Sequence, residues 1–225
     1  MLLLIIVGDV DMLIVHSKIP NGVIANYDVG ELAYSNTVFM CIKDKLCNEF
    51  QIPDNLEHLV ENILSDIYQL SPNLYHDSLD KYCYLTVKKG YVQPNTTGNR
   101  EGFHIDGFKS DQENFIWSDC EETPTEVAVG NFLLSDDHEK SLVEMEKQAS
   151  KWFKYQLNIK TLYCMDQKCV HRPTVNKTDK TILRTFIKIT FSKELFNCFG
   201  NAWNYKIPHI KPTTCRKETR NHSVL

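Results

Sequence analysis

The stretch that most constrains this chain is Ile182 to Ser192, Ile-Leu-Arg-Thr-Phe-Ile-Lys-Ile-Thr-Phe-Ser. It is rich in β-branched and aromatic residues and has a period of two, the mark of a strand. One face would carry Leu183, Thr185, Ile187, Ile189 and Phe191, and the other Arg184, Phe186, Lys188 and Thr190. An ordinary sheet edge does not account for an arginine and a lysine four residues apart on one face, with the opposite face apolar. Directing both cations into the mouth of a curled sheet does, because an anionic ligand there would satisfy them.

The rest of the chain supplies partners for such a strand. Segments 82–87, 90–92, 115–117, 126–129 and 131–134 read as short strands, and 160–164 with 168–171 as a hairpin that ends on His171. Turn-rich segments such as Pro94 to Asn99 and Ser118 to Pro124 separate them. Short strands at close spacing argue for a sandwich or barrel rather than a parallel sheet.

Upstream, the first seven residues read as a buried first strand. No basic segment precedes them, and Gly8, Asp9 and Asp11 break the run far short of a membrane span. Residues 54–70 carry the clearest helical period, with Leu56, Leu59, Val60, Ile63, Leu64 and Ile67 on one stripe. Asp54 is the expected N-cap with Glu57 three residues on, and Ser71-Pro72 the stop. The charged residues 136–153 have a weaker period and read as an insertion between barrel strands, fitting either a lid or a solvated surface helix.

At 225 residues the default is one domain, 1–225, with 1–80 as support, 82–204 as the β core and 205–225 as a basic tail expected to fray. A content of 42% hydrophobic and 11% aromatic residues is enough for a packed core, which excludes general disorder. The fold class expected is mainly β with flanking helices.

The candidate chemistry lies at residues 102–108, Gly-Phe-His-Ile-Asp-Gly-Phe. In an extended segment His104 and Asp106 project together while Ile105 turns into apolar packing. An imidazole and a carboxylate side by side are two-thirds of a 2-His-1-carboxylate iron site. The best third ligand is His171, 67 residues after His104, and Arg184 follows 13 residues later. Its planar fork of donors suits a carboxylate.

His104-X-Asp106, the distal His171 and Arg184 one strand on, in the wording Gly-Phe-His-Ile-Asp-Gly-Phe and Val-His-Arg-Pro-Thr, resemble the Fe(II)/2-oxoglutarate-dependent oxygenase superfamily. The likeness spans roughly residues 82 to 204 and is nearest to small members of viral and bacterial type. It implies a double-stranded β-helix, a cupin-like jelly roll. It also implies Fe(II) on His104, Asp106 and His171, with 2-oxoglutarate and O2 in the open positions and the far carboxylate of 2-oxoglutarate on Arg184. Tyr84 and Trp117 would line the co-substrate pocket, and Lys188 would be a second anion contact. Arg172 should point away from the metal.

The activity implied is that of a dioxygenase coupling decarboxylation of 2-oxoglutarate to succinate with hydroxylation or oxidative demethylation. The substrate would be a protein side chain, a nucleotide or a small molecule. Two other readings stay open. Cys164, Cys169 and His171 offer a zinc-type donor set, and the same fold also serves as a metal-binding cupin-like module without turnover.

Charge is distributed unevenly. Residues 1–150 hold 10 Lys/Arg against 25 Asp/Glu, and residues 151–225 hold 15 against 4. This is either two complementary surfaces of one fold or a basic face for an anionic partner. Eight cysteines without a small-scaffold pattern read as reduced thiols in a cytoplasmic setting. The Asn-X-Ser/Thr matches at Asn95, Asn176 and Asn221 read as coincidence without a secretory signal.

Overall fold

The computed structural model describes residues 3–7, 10–30 and 36–215. In chain order the elements are β1 (Leu3–Val7), β2 (Val10–Ser17), β3 (Asn21–Ile24), β4 (Asn36–Lys43), α1 (Glu57–Leu70), α2 (Pro72–Asp77), β5 (Tyr82–Val92), β6 (Glu113–Ser118) and β7 (Thr125–Ser135). There follow α3 (His138–Ala149), β8 (Phe153–Gln156), β9 (Thr161–Met165), β10 (His171–Pro173) and β11 (Ile182–Ser192).

Among the described residues two antiparallel sheets form. One has the order β3-β9-β6-β11-β5-β4; the other runs β1-β2-β7-β10, with β8 also on β7. From β5 onward the chain alternates between them: to a bridge at His104, back to β6, across to β7 and β8, back to β9, across to β10 and back to β11. That winding is a double-stranded β-helix.

β11 spans Ile182–Ser192 with the expected alternation, and its central position decides what both of its faces do. Ile187, Ile189 and Phe191 join Leu85, Val87, Phe115 and Leu162 on the outer face of the large sheet. Over that face lies α1, which buries Leu59, Val60, Ile63, Leu64 and Ile67. Each such side chain contributes roughly 1.5–3 kcal/mol of transfer free energy. The inner face of β11 looks toward the small sheet, where Phe186 packs with Ile116, Val127, Tyr163 and Met165.

Several local expectations change, each because a distant contact overrides a local signal. Asp54 does not cap the helix. Its carboxylate takes Lys206 Nζ at 2.5 Å, and residues 54–56 form one 3-10 turn ahead of α1. Segments 82–87 and 90–92 are one strand, β5, as are 126–129 and 131–134, β7. Gly130 sits inside β7 because the Trp152 ring crosses it; a Cβ there would lie 2.2 Å from Trp152 Cδ2.

Residues 160–171 are not a hairpin. β9 belongs to the large sheet and β10 to the small one, with a turn at Asp166 between the layers. Residues 138–149 form a surface helix with one face in solvent, as one of the two readings expected, and the other face packed. α3, capped by Asp137, buries Ser141, Met145 and Ala149, and its Met145 and Ala149 pack against Ala128, Phe132 and Leu134 behind the small sheet.

The expected fraying of the tail does not hold for residues 207–215. Ile207 is fully buried against Tyr84, and Thr214 bridges to Cys198. Residues 216–225, with Asn221, lie outside the described residues. Asn176 is buried and donates to the Val92 and Lys180 carbonyls at 3.1 and 2.8 Å, so its side chain is structural. The eight cysteines are free thiols. No helix among the described residues is long and apolar enough to cross a membrane.

Candidate metal centre and co-substrate pocket

His104 and His171 form an isolated antiparallel bridge, each amide donating to the other's carbonyl at 2.9 Å. A directly opposed pair shows its side chains on one face, and the two ring centroids stand 4.6 Å apart. The same backbone also sets the tautomers. His104 Nδ1 lies 2.9 Å from the Gly102 carbonyl, and His171 Nδ1 lies 3.0 Å from that of Cys169. A carbonyl can only accept, so each Nδ1 carries the hydrogen and each Nε2 keeps its lone pair.

Both Nε2 atoms face Asp106, at 3.9 Å from Oδ1 for His104 and 4.0 Å from Oδ2 for His171. The three ligand atoms lie within 4.8 Å of one another, the one such His/Cys/Asp/Glu cluster among the described residues. Asp106 gets there by a different route from the extended one expected. The ladder ends at His104, and residues 106–109 form a turn. Gly107 has φ +70, and a Cβ on it would lie 2.5 Å from Gln112 Cβ, so the turn depends on glycine.

Lys188 Nζ donates to Asp106 Oδ2 at 3.0 Å. Burial by itself would raise the Asp106 pKa. The charges of Lys188, His171 and His104 outweigh it and hold the carboxyl far below the usual carboxylate range. Burial, reinforced by His171, brings His104 down to about 4, with Asp106 only partly opposing. His171 is lowered by burial too, again against Asp106. At neutral pH the cluster is therefore two neutral imidazoles and one carboxylate, the protonation state that metal ligation needs.

The triad opens into a cavity of about 230 Å³, walled by Phe39, Thr86, Lys88, Arg100, Phe186 and Lys188. Arg184 stands one residue behind that wall. Its guanidinium lies 5.1 Å from the centre of the Phe186 ring, and with the Asn99 amide turned so that its oxygen faces the arginine, Nη1 donates to that oxygen at 3.2 Å. Both Phe186 and Asn99 line the cavity. Arg184 is 4% exposed, yet its Nε and Nη2 have no hydrogen-bond partner. Two buried donors on a cation without an acceptor are costly, and an anion is the natural complement.

The structure does not bring every expected residue together. Trp117 faces away: its neighbour Ile116 lines the cavity, so Trp117 turns to the outer face, where Nε1 donates to the Ala25 carbonyl at 2.9 Å. Tyr84 is on the cavity's side of β5 but two rungs below Thr86 and four below Lys88. Its ring stacks on Phe39 at 4.6 Å, and its hydroxyl donates to Glu194 O and accepts from Phe196 N, both at 2.9 Å. It anchors the C-terminal segment instead. Arg172 does point away from the triad, onto Glu126 at 2.8 Å.

The zinc-type set does not assemble. His171 turns to Asp106, while burial pushes the Cys164 thiol up to about 11 and raises that of Cys169 as well. Sequence reasoning missed Thr86, Lys88, Asn99 and Arg100. For Lys88 a signal was present, since Thr86 and Lys88 continue the alternation of β5. Which face meets the cavity depends on the register Phe186↔Lys88 and Lys188↔Thr86.

No protein-family model matches the chain, and no curated protein matches it. Solved structures do. The non-heme alpha ketoglutarate dependent carbocyclase SnoK from nogalamycin biosynthesis is 10% identical, over 63% of this chain and 60% of that one, with TM-score 0.40. The epimerase SnoN from the same biosynthesis gives 10%, 62%, 59% and 0.41. EvdO2 from Micromonospora carbonacea var. aurantiaca, complexed with 2-oxoglutarate, gives 11%, 63%, 66% and 0.37. The chain spans about three-fifths to two-thirds of the length of these structures. The overlaps are partial, and the double-stranded β-helix rests on the strand pairing itself.

Proposed function

We propose that this protein is an Fe(II)- and 2-oxoglutarate-dependent oxygenase that hydroxylates or oxidatively demethylates a substrate. The observation that carries the reading is the convergence of two Nε2 lone pairs and the Asp106 carboxylate on one cavity. Two histidines and one carboxylate with an open side suit non-heme Fe(II). Arg184, with two unpartnered donors behind the wall, fits the distal carboxylate of the keto acid.

Bound there, Fe(II) and 2-oxoglutarate supply the redox chemistry that activates O2 against a C–H bond. The chain's own contribution is positional. The Gly102 and Cys169 carbonyls hold the imidazoles in the ligating tautomer, and Lys188 keeps Asp106 ionised and aimed. Phe39, Ile116 and Phe186 add apolar surface beside the triad in a cavity otherwise lined by polar and charged side chains.

The experiment is anaerobic titration of the metal-free protein with Fe(II) and then 2-oxoglutarate, followed by succinate measurement on admitting O2. One Fe(II) per chain, 2-oxoglutarate binding that requires the metal, and succinate release are expected. Fe(II) affinity in His171→Ala equal to that of the unmodified protein would overturn the assignment.

A further inference from the structure

We infer that Lys188 is a positioning residue for the metal centre: its ammonium holds Oδ2 of Asp106, so the carboxylate offers the metal Oδ1 alone. The inference rests on the oxygenase reading only for the identity of the metal, and its geometry draws on residues outside the triad.

Lys188 lies in β11 opposite Thr86 of β5 on one side and Ile116 of β6 on the other, so pairing on both edges fixes its backbone. Its side chain is largely buried, and Nζ donates to Asp106 Oδ2 at 3.0 Å. The other oxygen, Oδ1, faces His104 Nε2 at 3.9 Å. A carboxylate with one oxygen committed to a charge-assisted bond presents the other to a metal.

The ammonium is itself held in place. It lies 5.5 Å from the centre of the Phe39 ring, within the range of cation–π attraction. Phe39 reaches this place at φ +50, inside a bulge where the register of β4 on β5 shifts between Thr37 and Met40. A bulky residue rarely adopts that conformation, and it persists only where surrounding contacts over-determine it. Here they are its amide on Thr86 Oγ1 at 3.0 Å, the Tyr84 ring stacked on it at 4.6 Å and the Phe196 ring edge-on at 5.7 Å. Thr86 and Lys188 face each other across β5 and β11, so one rung of the sheet places both the ring and the ammonium. A counter-ion that merely neutralised Asp106 would need no such shelf.

The consequence is a count of open positions. An octahedral ion with two imidazoles and a one-oxygen carboxylate keeps three positions open, whereas a two-oxygen carboxylate leaves two. A keto acid bound through two atoms needs all three if O2 is to join it. Lys188 also sets a positive charge beside the cation, which weakens metal binding. The site trades affinity for an open face.

The test loads the full chain with Mn(II), whose bound waters are counted by water-proton relaxation, and needs neither 2-oxoglutarate nor O2. Lys188→Met should lower the count from three waters to two, a fall of about one third in relaxivity, as Asp106 closes on the metal with both oxygens. The same variant should bind Mn(II) roughly tenfold more tightly or better, because a nearby positive charge is gone. Removing a residue that only supports the fold would weaken the metal instead. Lys188→Arg should restore the parent's water count, since a guanidinium can hold Oδ2 as the ammonium does. Phe39→Leu keeps the lysine but removes the shelf, and should give an intermediate count.

An unchanged water count in Lys188→Met overturns the inference, as does an unchanged count in Phe39→Leu where Lys188→Met fails to fold. So does a parent that binds no Mn(II). A Lys188→Met variant that keeps its waters and loses 2-oxoglutarate affinity also overturns it, and makes Lys188 an anion contact. The two readings separate cleanly. A chain that loses a water on Lys188→Met, yet in its parent form neither binds 2-oxoglutarate nor releases succinate with Fe(II), leaves this role of Lys188 standing and removes the oxygenase.

Discussion

Replacing Arg184 by Met removes the charge and keeps much of the side chain's length, so it separates a ligand-binding arginine from a structural one. In the ligand-free protein Nε and Nη2 are buried without partners. Each unsatisfied donor costs about 1–3 kcal/mol. Against that relief, Met forfeits the bond to Asn99 and the contact with the Phe186 ring. These are worth about 1 kcal/mol and roughly 0.5–2 kcal/mol. The sum predicts a ligand-free variant between about 1 kcal/mol less stable than the parent and a few kcal/mol more stable.

Binding should respond in the opposite direction. Loss of a charge-assisted, forked contact removes about 1.5–3 kcal/mol, tenfold to more than a hundredfold in affinity. Urea unfolding of the metal-loaded protein, with and without 2-oxoglutarate, reads both quantities. At a ligand concentration about 100 times its dissociation constant, the parent gains about 2.7 kcal/mol, while a hundredfold weaker variant gains only about 0.4 kcal/mol. A variant that loses more than about 2 kcal/mol without ligand, yet keeps the full 2-oxoglutarate increment, would refute the reasoning and make Arg184 a structural counter-ion.

Other perturbations follow from the same geometry. His104→Ala and Asp106→Ala should each abolish stoichiometric Fe(II) uptake in equilibrium dialysis, whereas Asp106→Glu should retain weak binding. His104 is held at about 4 in the folded chain against 6.5 for its ordinary value, so the unfolded chain binds more protons between those pH values. Its contribution to stability is complete above pH 6.5 and is lost as pH falls toward about 4. Urea midpoints of the metal-free protein should therefore fall over that window, and fall less steeply in His104→Gln. Gly130→Ala should destabilise by roughly 1–3 kcal/mol in chemical denaturation, because its Cβ would be driven into the Trp152 ring. Ile63→Ala, beneath α1, should cost roughly 2–5 kcal/mol and leave Fe(II) affinity unchanged, since that core lies on the far face of the sheet.

The sequence by itself determined the features that depend on short periods. The two faces of Ile182–Ser192 and the apolar stripe of residues 56–67 are local patterns, and local backbone geometry converts them directly into which side chains point together. Only the tertiary structure decided the features that depend on register and long-range pairing. Nothing near Asp54 tells it to prefer Lys206, 152 residues away, to the helix that follows it. Nothing near Gly130 announces the Trp152 ring that makes one strand out of two apparent segments. The triad shows both sides of this division. His-X-Asp was legible, but the chain leaves the ladder after His104, and Asp106 reaches the site through a turn that Gly107 permits. The family resemblance assigns Tyr84 and Trp117 to the pocket, as aromatics on strands near the site. Alternation turns Trp117 away and puts Ile116 in the cavity, whereas Tyr84 shares the face of Thr86 and Lys88 but lies further along β5, where Phe39 and the segment 194–196 hold it.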